Sequence, residues 1–163
     1  EALEKGGGDG EAPVVAAHYR LSRCKTAVED PSDQAVDAWD EHHEAFHAAL
    51  LGAAQSNWLM RFRATISDQL RRHHRVLSLT PTLRAAAGRK RGFEEALAAL
   101  REAQSIDVHT ALMEAALDRD LDRAKALMTE HIAYTVSVYK VTEDGSHERP
   151  ATGRATRTRP AAE

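Results

Sequence analysis

Several features that define other classes of protein are scarce in this sequence. The 163 residues include a single cysteine, Cys24, so an intramolecular disulfide is excluded. One unpaired cysteine fits a reducing cytoplasm. No apolar run approaches the ~20 residues needed to span a bilayer, and no signal-peptide pattern is visible. We therefore expect a cytoplasmic protein that does not enter the membrane.

Strand signals are also nearly absent. Gly and Pro cluster at only a few points, and between them the apolar residues recur with a helical period. Charged residues make up 29% of the chain and apolar residues 42%, which is typical of a globular domain, and the length suits one domain. The net charge of -3 gives no sign of a chain built to wrap nucleic acid. We predict an all-α fold, an antiparallel bundle of about six to seven helices.

The breaks between apolar runs locate the helices. Helical patterns cover 11–25, about 32–53, 58–79, part of 83–105, 108–117 and 121–141, and "DRD" at 118–120 reads as a tight turn. In the first of these helices we expect Val14, Val15, Ala17 and Leu21 to face inward. Residues 1–141 are predicted to form one helical domain, and the apolar-poor residues 142–163 a disordered tail. The chain starts at Glu1. Residues 1–5 look like the tail of a helix that is ended by glycines, so we expect a fragment whose N-terminal part is missing.

The stretch "EHHEAFHAAL" at 41–50 carries three histidines. His43 and His47 are four residues apart, so they share one helix face and their rings can meet at one ion. Asp40 shares that face, but two turns separate it from His47. His42 points about 100° away. Phe46 lies near the shared face, which indicates that the histidine pair looks into the bundle.

Two further histidines fall on or beside apolar stripes of other helices. His109 joins the stripe that contains Leu112 and Ala116, and His131 borders a stripe on the last helix. Four imidazoles at core-facing positions are costly unless each has a partner, and one metal ion would satisfy all four. Separate hydrogen bonds to backbone or carboxylate groups would also satisfy them, and the pattern alone leaves both readings open.

Two segments of the sequence resemble a known family. They are "WDEHHEAFHAALLGAAQSNWLMRF" and "DVHTALMEAALDRDLDRAKALMTEHI". They are similar to the FCD domain, the ligand-binding C-terminal domain of GntR-family bacterial transcription regulators. Phe46 and His47 ahead of a small-residue turn carry the first likeness, and His109 with the final Glu130 and His131 carries the second. The resemblance covers about residues 1–140 and implies an all-helical bundle of six or seven helices.

Many members of that family hold a divalent metal in the centre of the bundle. The resemblance implies that the ligands here are His43, His47, His109 and His131. The departure is His43, because the family more commonly has Asp at that position. A histidine there removes a negative charge, which favours zinc, nickel or similar nitrogen-preferring ions over magnesium or calcium.

The resemblance also implies a sensor and not an enzyme. A small organic acid would place its carboxylate on the metal, and arginines would hold its other end, since the guanidinium fork is bidentate. Arg63, Arg72 and Arg75 are the candidates. The resemblance implies homodimers that read operator DNA through a winged helix-turn-helix domain, which we expect to be absent from this chain.

Two alternatives remain beside the sensor. A metal-dependent enzyme, a hydrolase or an oxygenase, could use a multi-histidine site to activate water. A di-iron site, however, needs Glu-x-x-His pairs on two helices, and only Glu44 with His47 fits that pattern. Glu44 and Glu130 are adjacent to expected ligands, but at those offsets they point away from them. The third reading is a metal-free interaction domain, in which the histidines are dispensable.

Overall fold

The protein is described here by a computed structural model, which covers residues 10–52, 57–73 and 94–146. Within these ranges the chain forms helices and turns and contains no strand. The six helices are α1 (Glu11–Ser22), α2 (Asp33–Leu50), α3 (Asn57–His73), α4 (Glu94–Ala103), α5 (Ile106–Leu117) and α6 (Leu121–Ser146). The predicted all-α helical bundle is therefore confirmed. Among these described helices, none combines the length and the apolar character needed to cross a membrane.

The helices lie close to their predicted positions, with differences at their ends. The last helix, α6, continues to Ser146 and so passes the boundary that was predicted at 141. The predicted helix at 1–5, the segment 74–93 and the tail from 147 onward lie outside the described residues. Val15, which was expected to face inward, is 45% exposed, whereas Val14 is buried.

The core consists of two clusters of buried apolar side chains. The larger joins α1, α2 and α5 through Val14, Ala17, Leu21, Trp39, Phe46 and Leu112. The smaller contains Ala27, Val36, Leu100 and Val138. Each large side chain that is fully buried stabilises the fold by about 1.5–3 kcal/mol. In this packing α1 contacts α2 and α5, and α6 contacts α4 and α5.

The connection between α5 and α6 is the predicted tight turn. Arg119 adopts a left-handed conformation, with φ of 57°. Its amide donates to the carbonyl of Ala116 (3.2 Å), and the amide of Asp120 donates to the carbonyl of Ala115 (2.9 Å). This is the Schellman arrangement that ends a helix. The Asp120 carboxylate then accepts from the amide of Arg123 at 3.0 Å and caps α6.

We expect the Asp120 cap to contribute measurably to stability. Asp120→Ala should lower the free energy of unfolding by about 1 kcal/mol, because an amide in the first turn of α6 loses its acceptor. Asp120→Asn is the matched control, since Asn caps almost as well as Asp. Urea denaturation measures both variants. Equal stability of the Ala and Asn variants would show that the cap is not what begins α6.

Candidate metal centre

The structure brings the four predicted histidines together inside the bundle. α2 supplies His43 and His47, α5 supplies His109 and α6 supplies His131. One ring nitrogen from each lies within 4.8 Å of the corresponding nitrogen of every other. His109 and His131 are buried, and His43 and His47 are half-buried. Four imidazole nitrogens from three helices therefore surround one small volume.

The spacing of these rings suits a single ion. The ring centroids of all six histidine pairs lie between 4.5 and 5.7 Å apart. The Nε2 atoms of His43 and His47 are 3.1 Å apart. Four nitrogens held about 2.0–2.1 Å from a tetrahedral zinc ion lie roughly 3.4 Å from one another. The histidine nitrogens, all within 4.8 Å of one another, lie near that spacing.

A backbone carbonyl fixes the orientation of His109. Its Nδ1 lies 2.6 Å from the carbonyl oxygen of Ser105. A carbonyl only accepts, so Nδ1 must carry the proton and donate it. The lone pair of the neutral ring is then on Nε2, which is buried and has no hydrogen-bond partner among the described residues. Ligating histidines in proteins are usually held by such a hydrogen bond on the opposite nitrogen.

His131 also has a buried nitrogen that lacks a partner. Its Nδ1 makes no hydrogen bond within the described part of the chain. A buried polar group without a partner costs roughly 1–3 kcal/mol, and native proteins rarely leave such groups unpaired. A metal ion bound by the four histidines would give both of these unpaired nitrogens a partner. The residues present therefore fit a divalent ion.

Aromatic side chains enclose the cluster. The Trp39 ring stacks on His43 with centroids 6.0 Å apart and meets His109 edge-on, also at 6.0 Å. Phe46 lies 5.4 Å from His47 and 5.6 Å from His109. Neither Trp39 nor Ser105 was among the site residues predicted from the sequence. Their spacing in the sequence could have indicated them, because each precedes a cluster histidine by four residues and hence by one helical turn.

Burial favours the neutral form of three of the four histidines. Desolvation, with a smaller contribution from the charge of His131, lowers the pKa of His109 to about 4. Desolvation, helped by the charges of His131, His109 and Arg63, holds the pKa of His47 well below its ordinary value. Burial also lowers the pKa of His131. The neutral form of imidazole is the form that binds metal, so the site is prepared for an ion at neutral pH.

Of the three candidate arginines, the structure describes the side chain of Arg63. Its Nη1 lies 2.7 Å from a carboxylate oxygen of Glu44 on α2, and the Arg63 side chain is 19% exposed. Its Nε is buried and has no hydrogen-bond partner among the described residues. The side chain of Arg72 and the whole of Arg75 lie outside what the structure describes.

The other polar residues near the expected site fall outside the cluster. His42 and Asp40 are half-buried, but neither belongs to the group of four donor residues. His18 on α1 lies 2.8 Å from the hydroxyl of Thr110 on α5. That hydroxyl donates to the carbonyl of Ile106, so His18 Nε2 must be the donor in the first bond. His18 therefore joins two helices and plays a structural part.

Comparison with known proteins identifies the family. The profile of the FCD domain matches residues 9–134. The chain belongs to the FCD domain family. The predicted relationship to the FCD domain of GntR-family regulators is confirmed. The matched range contains all four cluster histidines and helices α1 to α5.

Two curated relatives are bacterial regulators. The FCD domain is 29% identical to the HTH-type transcriptional repressor GlaR of Escherichia coli strain K12 over 84% of this chain and 55% of that protein. It is 27% identical to the uncharacterized HTH-type transcriptional regulator BphR of Paraburkholderia xenovorans strain LB400, over 86% and 50% respectively. The chain thus spans about half the length of these relatives. No solved structure gives a significant match.

We expect added zinc to stabilise this FCD domain through the four histidines. His47→Ala and His131→Ala should each lose most of the zinc-dependent rise in Tm, because each removes one of the four donors. His42→Ala is the matched control, since it removes a half-buried histidine of the same helix from outside the cluster and should keep the full rise. Thermal unfolding with and without zinc measures the effect. An equal rise in all three variants would place the ion elsewhere.

The lowered pKa values predict how the metal-free domain responds to acid. Unfolded histidines take up protons near their ordinary pKa of 6.5, whereas folded His109 does so only near 4. Between these values the unfolded state binds more protons, so stability is full above pH 6.5 and is lost as pH falls toward 4.

Each unit of pKa difference is worth about 1.4 kcal/mol. Urea denaturation in the presence of a chelator, at several values between pH 7.5 and 4.5, measures this loss. His109→Gln should have a shallower dependence on pH than the wild type. Identical slopes would contradict a neutral, buried His109.

Proposed function

We propose that this chain is the effector-sensing domain of a bacterial GntR-family transcription regulator. It binds a divalent metal on His43, His47, His109 and His131 and senses a small organic acid beside that metal. The observation that carries the proposal is the convergence of four imidazoles from three helices, two of them buried, with one ring nitrogen of each within 4.8 Å of the others. The FCD family match and the two regulator relatives support the sensory role.

The chemistry of the donors favours zinc or nickel. All four donors are neutral nitrogens, and none is a carboxylate oxygen. Imidazole suits zinc and nickel, whereas magnesium and calcium prefer oxygen ligands. Because the protein ligands bring no negative charge, a bound divalent ion keeps its full charge. When bound, such an ion would supply positive charge that attracts an anion.

Arg63 is the second anchor for that anion. It is mostly buried and forms an ion pair with Glu44, which lies on the same helix as His43 and His47. Its charge is close enough to His47 to lower the pKa of that histidine. A small acid between the metal and Arg63 would be held at both ends. Arg72 and Arg75 remain candidates for further contacts.

The readout of binding requires more than this chain. We propose that the domain works as a homodimer in the cytoplasm and controls operator DNA through a separate winged helix-turn-helix domain. An exposed apolar stripe on α3 supports self-association, because Trp58 and Phe62 stack 5.3 Å apart and both are at least half exposed, and Ile66 follows one turn later. A ligand changes DNA binding only as far as it binds the two conformations of the protein unequally.

The competing function is a metal-dependent enzyme. A hydrolase that activates water on a metal also needs a carboxylate or other base close to that water. The two carboxylates beside the cluster histidines have other partners, since Glu44 pairs with Arg63 and Glu130 accepts from the Tyr134 hydroxyl at 2.9 Å. These contacts favour the sensor over the enzyme.

A thermal-shift panel of small mono- and dicarboxylates tests the sensor. A ligand at 100 times its dissociation constant stabilises the folded state by about 2.7 kcal/mol. We expect at least one acid to raise the Tm of the zinc-loaded domain, and Arg63→Ala to reduce that rise. His42→Ala serves again as the control that keeps it.

Two outcomes would contradict the proposal. If no carboxylate stabilises the zinc-loaded domain, the site does not sense acids. If an acid that binds is converted to a product, as chromatography of the incubation mixture would show, the domain is an enzyme.

A further inference from the structure

The contact between Glu44 and Arg63 assigns a role to a residue outside the metal cluster. We propose that Glu44 is a positioning residue, which holds the guanidinium of Arg63 so that its Nε edge stays available to a carboxylate ligand. This inference rests on the proposed function of the site. It adds a specificity-determining residue that touches neither the metal nor the ligand.

The guanidinium group of Arg63 has a fixed shape. Its donors form a rigid planar fork, and carboxylates bind it by two parallel hydrogen bonds. Glu44 engages Nη1 at 2.7 Å. In a planar guanidinium Nη1 lies on the opposite side from the edge that carries Nε. The pairing with Glu44 therefore leaves the Nε edge for another anion.

The Nε atom itself supports this reading. It is buried, and it has no hydrogen-bond partner within the described residues. Leaving a buried donor of a charged group without an acceptor is unfavourable. A carboxylate at this edge would satisfy Nε, as a metal ion would satisfy the nitrogens of His109 and His131. Unpaired groups of both kinds are found in the same region of the bundle.

The low exposure of Arg63 distinguishes this ion pair from a fully exposed surface pair. Exposed Lys or Arg pairs contribute little and hold no fixed geometry, but the Arg63 side chain is 19% exposed and that of Glu44 is 37% exposed. Glu44 precedes His47 by three residues, which puts the two side chains on neighbouring positions of one helix surface. Glu44 therefore ties Arg63 of α3 to the helix that supplies two of the four histidines.

The experiment follows acetate binding to the zinc-loaded chain by NMR. Acetate is the simplest carboxylate probe, and the signal of the Arg63 Nε–H group reports its binding directly. Arg63→Lys removes that group and so assigns the signal. Glu44→Ala removes the positioning contact, whereas Glu44→Gln keeps an oxygen that can accept from Nη1. Zinc affinity is measured for every variant.

We expect acetate to shift the Arg63 signal in the wild type and in Glu44→Gln with similar dissociation constants. In Glu44→Ala the dissociation constant should rise about tenfold, as for loss of a charge-assisted hydrogen bond that orients the group. Zinc affinity should be the same in all of these proteins. Rescue by Gln, with constant zinc affinity, separates positioning from a general structural effect.

Other outcomes overturn the inference in distinguishable ways. Unchanged or tighter acetate binding by Glu44→Ala would show that Glu44 does not position Arg63, while the sensor proposal would stand. Failure of Glu44→Gln to restore binding would show that the charge of Glu44, and not its geometry, matters. Absence of acetate binding to the wild type, together with a negative carboxylate panel, would remove the proposed function as well. Glu44→Ser replaces the Ala variant if that variant unfolds.

Discussion

The rest of the site depends on the crowding of four imidazoles in a helical core, two of them buried and two half-buried. A neutral imidazole has one nitrogen that donates and one that accepts, and water is largely excluded from the two buried rings, His109 and His131. Hydrogen bonds satisfy part of this demand, as between His109 and Ser105. The remaining lone pairs converge on one volume. A divalent ion is a partner that would satisfy several of them at once.

Contacts between neighbouring helices and side chains hold the four histidines together. The turn at Arg119 and Asp120 joins α5 directly to α6, so the helices that carry His109 and His131 are packed as neighbours. Trp39 and Phe46, which also lie on α2, pack against His43 and His47 respectively. These apolar walls lower the local dielectric, which strengthens the attraction of the site for anions. The same side chains therefore stabilise the fold and surround the site.

The charge of the site agrees with the proposal that it senses an anion. A histidine at position 43, where the family more commonly has an aspartate, leaves the protein donors without negative charge. Arg63 adds a positive charge beside the cluster, and Glu44 balances it from outside the histidine group. The proposed effector is therefore an anion. The edge of the Arg63 guanidinium that faces away from Glu44 would orient that anion. Recognition in this arrangement depends on geometry as well as on charge.

The sequence by itself determined the helices and the inward face of α2, because both follow from the helical period. It determined the pairing of His43 with His47, since four residues make about one turn. The helical period could not determine that His109 and His131 meet that pair; the family resemblance implied it, and the packing of three helices decides it. Nor could the sequence determine that Val15 is exposed while Val14 is buried, or that Glu44 meets Arg63 across two helices. These features depend on how the side chains of different helices pack together. Only the tertiary structure could therefore decide them.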